Sequence, residues 1–100
     1  MHYVLIYDYV ADYMDRRAEF RDAHLRLAWE SHARGEFQLG GVLADPVDGA
    51  LLWFKAESPE VVEAFVAADP YVAGGLVAKW RIRPWLTVAG AQADAPAYPG

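Results

Sequence analysis

The sequence predicts an α+β sandwich, with two helices laid on one face of a four-stranded antiparallel sheet. Three observations carry that expectation. Hydrophobic periodicity follows the order strand, helix, strand, strand, helix, strand. The two middle strands flank a compositional turn, Asp45-Pro46-Val47-Asp48-Gly49, and so read as a hairpin. Strands one and three are apolar on both faces, which asks for cover on both sides of the sheet.

Each element has its own warrant. Tyr3 to Tyr9 is β-branched and aromatic, hence a strand. Asp12 offers an N-cap, and a single long helix is expected from there to about Arg34, stopped by Gly35. At about 100° per residue, Asp15, Glu19, Asp22, Arg26 and Glu30 share a polar face. Met14, Phe20, Leu25, Leu27 and Ala28 take the opposite side, and His24 falls within that inward sector. Phe37 to Ala44 is strand two, with a bulge or close approach expected at Gly40-Gly41. Ala50 to Ala56 is strand three. Ser58 as cap and Pro59 at the first helical position open a second helix, which must stop before Pro70 because a residue preceding proline avoids the α region. A short turn or helix to Gly74-Gly75 leads into Leu76 to Val88, with Trp80 and Ile82 on one face and Lys79, Arg81 and Arg83 on the other. Residues 1–89 form the domain, and 90–100 an aperiodic tail expected to be flexible or loosely docked. This is the ferredoxin-like split βαβ order. Two helices cover only one sheet face, so the second apolar face is expected to meet a second copy, sheet to sheet.

Composition narrows the function. One hundred residues, 55% of them hydrophobic, make one domain with one modest core. A net charge of −5, from 14 acidic and 9 basic residues, argues against a nucleic-acid partner. No apolar run approaches the roughly 20 residues of a spanning helix, and no secretory leader pattern opens the chain. Zero cysteines removes thiolate chemistry and fits a cytoplasmic setting. The three histidines lack the spacing of a metal site. Gly40-Gly41 is not a phosphate loop, since no Lys-Ser/Thr follows and no helix begins there. Ser31 and Ser58, the only serines, have no nucleophile setting.

Two residues stand out for chemistry. Histidine titrates near neutrality and suits proton transfer. On a mostly inward helix face, His24 is either a core histidine satisfied by a backbone carbonyl or a base paired with an acid. Asp69, before Pro70 and Tyr71, is either the cap of a short helix or that acid. At the end of one helix its charge faces the negative end of a macrodipole, which a cation or a hydrogen-bond donor would relieve. Lys79, Arg81 and Arg83 read either as an anion site or as protection of an edge strand.

The strand Tyr-Val-Leu-Ile-Tyr-Asp, Arg21-Asp22-Ala23-His24-Leu25, Gly40-Gly41, Asp69-Pro70-Tyr71 and the ending Arg83-Pro84-Trp85 resemble the YciI-like (YCII) family from about Tyr3 to Trp85. The resemblance implies a dimeric α+β barrel similar to muconolactone isomerases. It implies a histidine–aspartate active site, which maps onto His24 and Asp69. One member class removes chloride from a chlorinated hydroxyhydroquinone.

Together these readings predict a cofactor-free lyase or isomerase acting on a small cyclic aromatic or enolic metabolite. In it His24 is the acid/base, Asp69 its orienting partner, and Tyr71, Tyr7, Trp53 and Arg21 the substrate contacts. The alternatives are a non-catalytic dimeric binding module and a cofactor-independent monooxygenase of the same barrel type. A His24–Asp69 separation of about 3 Å beside an open cavity would favour catalysis.

Overall fold

The computed structural model describes residues 1–100. In chain order the elements are β1 (His2–Tyr9), α1 (Tyr13–Arg16), α2 (Ala18–Ala33), β2 (Phe37–Leu43), β3 (Gly49–Lys55), α3 (Glu60–Ala68), α4 (Pro70–Ala73) and β4 (Val77–Trp85). The four strands form one antiparallel sheet in the order β2-β3-β1-β4, the ferredoxin-like arrangement expected.

Strand parity divides the sheet into two faces. Tyr3, Leu5 and Tyr7 of β1 stand opposite Phe54, Leu52 and Ala50 of β3, and all six are buried. They meet Ala28 of α2 and Val62, Phe65 and Val66 of α3 in one core. Leu5 and Phe54 are wholly inaccessible, and burying each such side chain contributes about 1.5–3 kcal/mol. The intervening residues point the other way. Val4 and Ile6 pair with Trp53 and Leu51 on one side and with Arg83 and Arg81 on the other. No helix covers this second face.

Several local expectations are corrected. The first helix is two pieces. The amide of Phe20 bonds the carbonyl of Arg17, three residues back, where a continuous α-helix would reach four. The break follows the turn that carries Tyr13, buried and stacked on Tyr9 at 3.7 Å between ring centroids. Asp12 makes no capping bond and instead lies 3.8 Å from Arg16. Met14 and Leu25 are exposed, so the inward side of this segment is narrower than the pattern implied. Ser58 makes no capping bond either, and α3 begins at Glu60 with Pro59 in the cap position. The bulge in β2 falls between Phe37 and Leu39 rather than at the glycines. At Gly40 a side chain would strike the Phe37 ring, so close approach is what that glycine permits. β4 ends at Trp85 instead of Val88.

The segment after Trp85 is tied to the start of the chain. Thr87 Oγ1 lies 2.7 Å from His2 Nδ1 and accepts the amide of Asp94 at 2.8 Å. The Asp94 carboxylate lies 3.4 Å from the terminal ammonium of Met1. His2 is thus an anchor for the tail.

Candidate active site

α4 is the element that brings the site together. Its C-terminus turns on Gly75 at φ +77°, a left-handed conformation that glycine adopts freely. There the amides of Gly75 and Leu76 bond the carbonyls of Val72 and Tyr71, a Schellman motif. Gly74 packs directly under the Phe20 ring of α2, and its carbonyl accepts a 2.8 Å bond from Arg16. These contacts hold the start of α4 beside the middle of α2.

Asp69 lies at that start and is fully buried. It is both cap and acid. Its backbone is extended (φ −74°, ψ 118°), and Oδ1 accepts the Tyr71 amide at 3.0 Å. The same oxygen lies 2.8 Å from Nδ1 of His24. Oδ2 accepts the Tyr7 hydroxyl at 2.7 Å. With Tyr7 and Tyr71 both donating, the carboxylate acts as acceptor throughout, so Nδ1 of His24 carries the proton. In the neutral imidazole Nε2 is then the accepting nitrogen, on the ring edge turned away from Asp69. The imidazole also stacks on the Tyr71 ring, with centroids 3.9 Å apart and planes 8° from parallel. Two constraints therefore fix one ring: a hydrogen bond in its plane and an aromatic surface against its face.

His24 forms part of the wall of a cavity of about 400 Å³, within the range that accommodates small ligands. Tyr9, Tyr13, Tyr71, Arg17, Arg21 and Trp29 line it as well. Burial raises the Tyr7 phenol far above its ordinary range, and the Asp69 charge adds to the effect. Tyr7 stays a hydrogen-bond donor as a result. Burial also raises Tyr71, the adjoining Tyr13 adds to this, and Arg21 and Arg17 act in the opposite direction. No group of three or more His, Cys, Asp or Glu is placed to hold a metal.

The family model of the YCII-related domain matches residues 1–86. The chain belongs to the YCII family. Among solved structures, this YCII chain is similar to 5-chloro-2-hydroxyhydroquinone dehydrochlorinase (TftG) from Burkholderia phenoliruptrix AC1100 in complex with 2,5-dihydroxybenzoquinone. That match has a TM-score of 0.75 and 25% identity, and covers 94% of this chain and 100% of TftG. The chain is also similar to protein Atu4242 from Agrobacterium tumefaciens, with a TM-score of 0.57 and 11% identity over 94% of this chain and 98% of that one. This second likeness shows the fold alone. A search of curated proteins finds no match.

Within this YCII fold, His24, Tyr71 and Arg21 line the same cavity, and Asp69 supports His24 from behind. Tyr7 does not line the cavity; it sits behind Asp69 as the third member of a chain of hydrogen bonds. Trp53 is on the uncovered sheet face, paired with Val4, because its position in β3 has the opposite parity to Leu52 and Phe54. Sequence reasoning missed Tyr9, Tyr13, Arg17 and Trp29. Two signals pointed to some of them: Tyr9 shares strand parity with Tyr7, and Arg17 lies seven residues, about two helical turns, before His24.

Proposed function

We propose that this YCII chain is a small acid/base enzyme, a lyase or isomerase that moves a proton on a cyclic aromatic or enolic metabolite without a cofactor. The observation that carries the reading is the 2.8 Å contact between His24 and the buried Asp69, with the imidazole on the wall of an open cavity. Nε2 of His24 takes a proton from a C–H or O–H beside a carbonyl, and the electron pair released forms an enolate or phenolate. Asp69 holds the tautomer that leaves Nε2 free and stabilises the imidazolium that forms. Arg21 faces the developing oxyanion. In the enolate the electron pair expels chloride or hydroxide from the adjoining saturated carbon as a new double bond forms; in the phenolate the imidazolium first returns the proton to a ring carbon, giving the keto isomer. Elimination follows from the first course and isomerisation from the second.

The likeness to a dehydrochlorinase supports the elimination branch. The short His24–Asp69 contact beside a cavity supports catalysis over a purely ligand-binding module. Oxygen uptake with a phenolic substrate would instead mark a cofactor-independent monooxygenase. The working unit in this reading is a homodimer joined through the uncovered sheet face, where Leu39, Leu43 and Leu51 are exposed. No helix is long and apolar enough to cross a membrane; a cytoplasmic location is proposed from the absence of cysteine.

The test is turnover of chlorinated and unchlorinated hydroxyhydroquinones by the wild type and His24→Gln. We expect product with the wild type and a loss of about 10²–10⁴-fold in the variant. Equal turnover by the two proteins would sink the assignment.

A further inference from the structure

The proton-transfer chemistry uses Arg21 only at the developing oxyanion and leaves Arg17, on the wall of the same cavity, without a role. Arg17 stands at the N-terminal boundary of α2 and Arg21 one turn further on, with His24 three residues beyond that. These spacings put all three on one helix face, and all three line the cavity. Arg17 and His24 are half-buried and Arg21 is exposed; the opposite face of α2 carries Glu19, Asp22, Arg26 and Glu30, all exposed.

Neither guanidinium is paired with a carboxylate. Arg26, Arg81 and Arg83 are unpaired as well but lie outside the cavity, and the remaining arginines have partners. Arg16 contacts Asp12 and the Gly74 carbonyl, and Arg34 bonds Glu36 at 2.9 Å. In a chain with 14 acidic residues, two adjoining unpaired cations in one concave site are a local charge excess against the overall balance of −5. Arg17 is half-buried, its guanidinium carbon 5.9 Å from the centre of the Tyr13 ring. That contact orients the planar group and leaves its edge donors free. The wall beside the two cations is aromatic: Tyr13 lies flat on Tyr9, and both stand edge-on to Tyr71. A cavity lined by three tyrosines and two cations fits a planar ring that carries an ionised oxygen group.

We propose that Arg17 and Arg21 form an anion clamp, and that the substrate class is a planar ring bearing a carboxylate or an ionised enol or phenol oxygen. The clamp holds that oxygen group through paired N–H donors, and the ring lies along the tyrosines with its reacting carbon toward Nε2 of His24. This rests on the acid/base reading of His24 for its orientation. The selectivity for anions depends on the arginines alone.

The experiment is equilibrium binding, followed by quenching of intrinsic fluorescence, with two matched pairs of probes. One pair is 2,5-dihydroxybenzoate and its neutral amide. The other is 2,5-dihydroxybenzoquinone and its dimethyl ether. Each protein is scored by its own ratio of acid to neutral affinity, so a general loss of stability does not mimic the effect. We expect the wild type to prefer the ionised member of at least one pair by about tenfold or more, and the preference to weaken with added salt. The pair that shows it tells carboxylate from enolate. Arg17→Gln/Arg21→Gln should bring the ratio close to one, while Arg17→Lys/Arg21→Lys keeps part of it. His24→Gln should keep the preference while losing turnover, which separates failure of the clamp from failure of the dyad. Equal affinity for ionised and neutral probes in the wild type, including no measurable binding of either, overturns the clamp. So does an unchanged ratio in the double glutamine variant.

Discussion

The two faces of the sheet differ in kind, although both are rich in apolar side chains. On the helix-covered face, polar groups converge. Asp69 and Tyr7 are fully buried there and satisfy each other, and His24 completes the chain at the cavity wall. On the uncovered face Val4, Ile6, Leu51 and Trp53 form an apolar field flanked by Arg81 and Arg83. The indole nitrogen of Trp53 is buried there without a partner. One face spends its burial on holding a reactive group in place; the other offers area. The comparison teaches that hydrophobic content alone does not locate a site. What locates it is a buried charge whose every bond is accounted for, because an unpaired one would cost several kcal/mol.

The largest expected effect comes from breaking that network at its centre. Asp69→Ala removes a cap and strands the Tyr7 hydroxyl and the His24 ring N–H. Urea unfolding should show a loss of about 3–5 kcal/mol. A loss under 1 kcal/mol would mean that the network contributes little.

Tyr7→Phe is the milder cut. It leaves one carboxylate oxygen of Asp69 without its donor and should cost about 1–3 kcal/mol. His24 keeps its own bond to Oδ1, so turnover should fall less than in His24→Gln. Equal losses in the two variants would place Tyr7 in direct contact with substrate.

The opposite face is broken by Leu51→Lys. Sedimentation should show a wild-type dimer and a monomeric variant, whose fold survives because Leu51 is already 42% exposed in the single chain. A monomeric wild type would end the dimer proposal.

The smallest effect is a pH limb. Burial first, and then Asp69, raises the Tyr7 phenol well above the ordinary tyrosine value of about 10. In the unfolded chain this tyrosine loses its proton near that value, while in the folded protein it keeps it. The unfolded state then binds fewer protons, so stability is fully present below about pH 10 and declines as pH rises further. Unfolding midpoints between pH 9 and about 11 should fall less steeply in Tyr7→Phe; parallel curves would show that Tyr7 does not set the slope.

Much of this was legible in the chain. Alternation in β1 and β3 separated Leu5 and Leu52 from Ile6 and Leu51 before any coordinates, because a strand's period of two is a local property. Pro70 after Asp69 marked a helix stop and a new start for the same kind of reason. The caps failed where the backbone had better partners: Asp12 went to Arg16, and Ser58 was left outside its helix. Trp53 was assigned to the cavity on residue type, and strand parity overruled it.

By itself, then, the sequence determined the element order, the two apolar sheet faces and the two residues worth watching, His24 and Asp69. The first two rest on periodicity and on contacts within a few residues, while the pairing of His24 with Asp69 came from the resemblance to the YCII family. Only the tertiary structure decided that Tyr7 stands behind Asp69, 62 residues away in sequence, and that Tyr71 stacks on His24. It also decided that Arg17 and Arg21 share a cavity with the dyad. Those relations depend on how α4 docks against α2, and that docking is set by packing at Gly74 and Phe20, which no local pattern encodes.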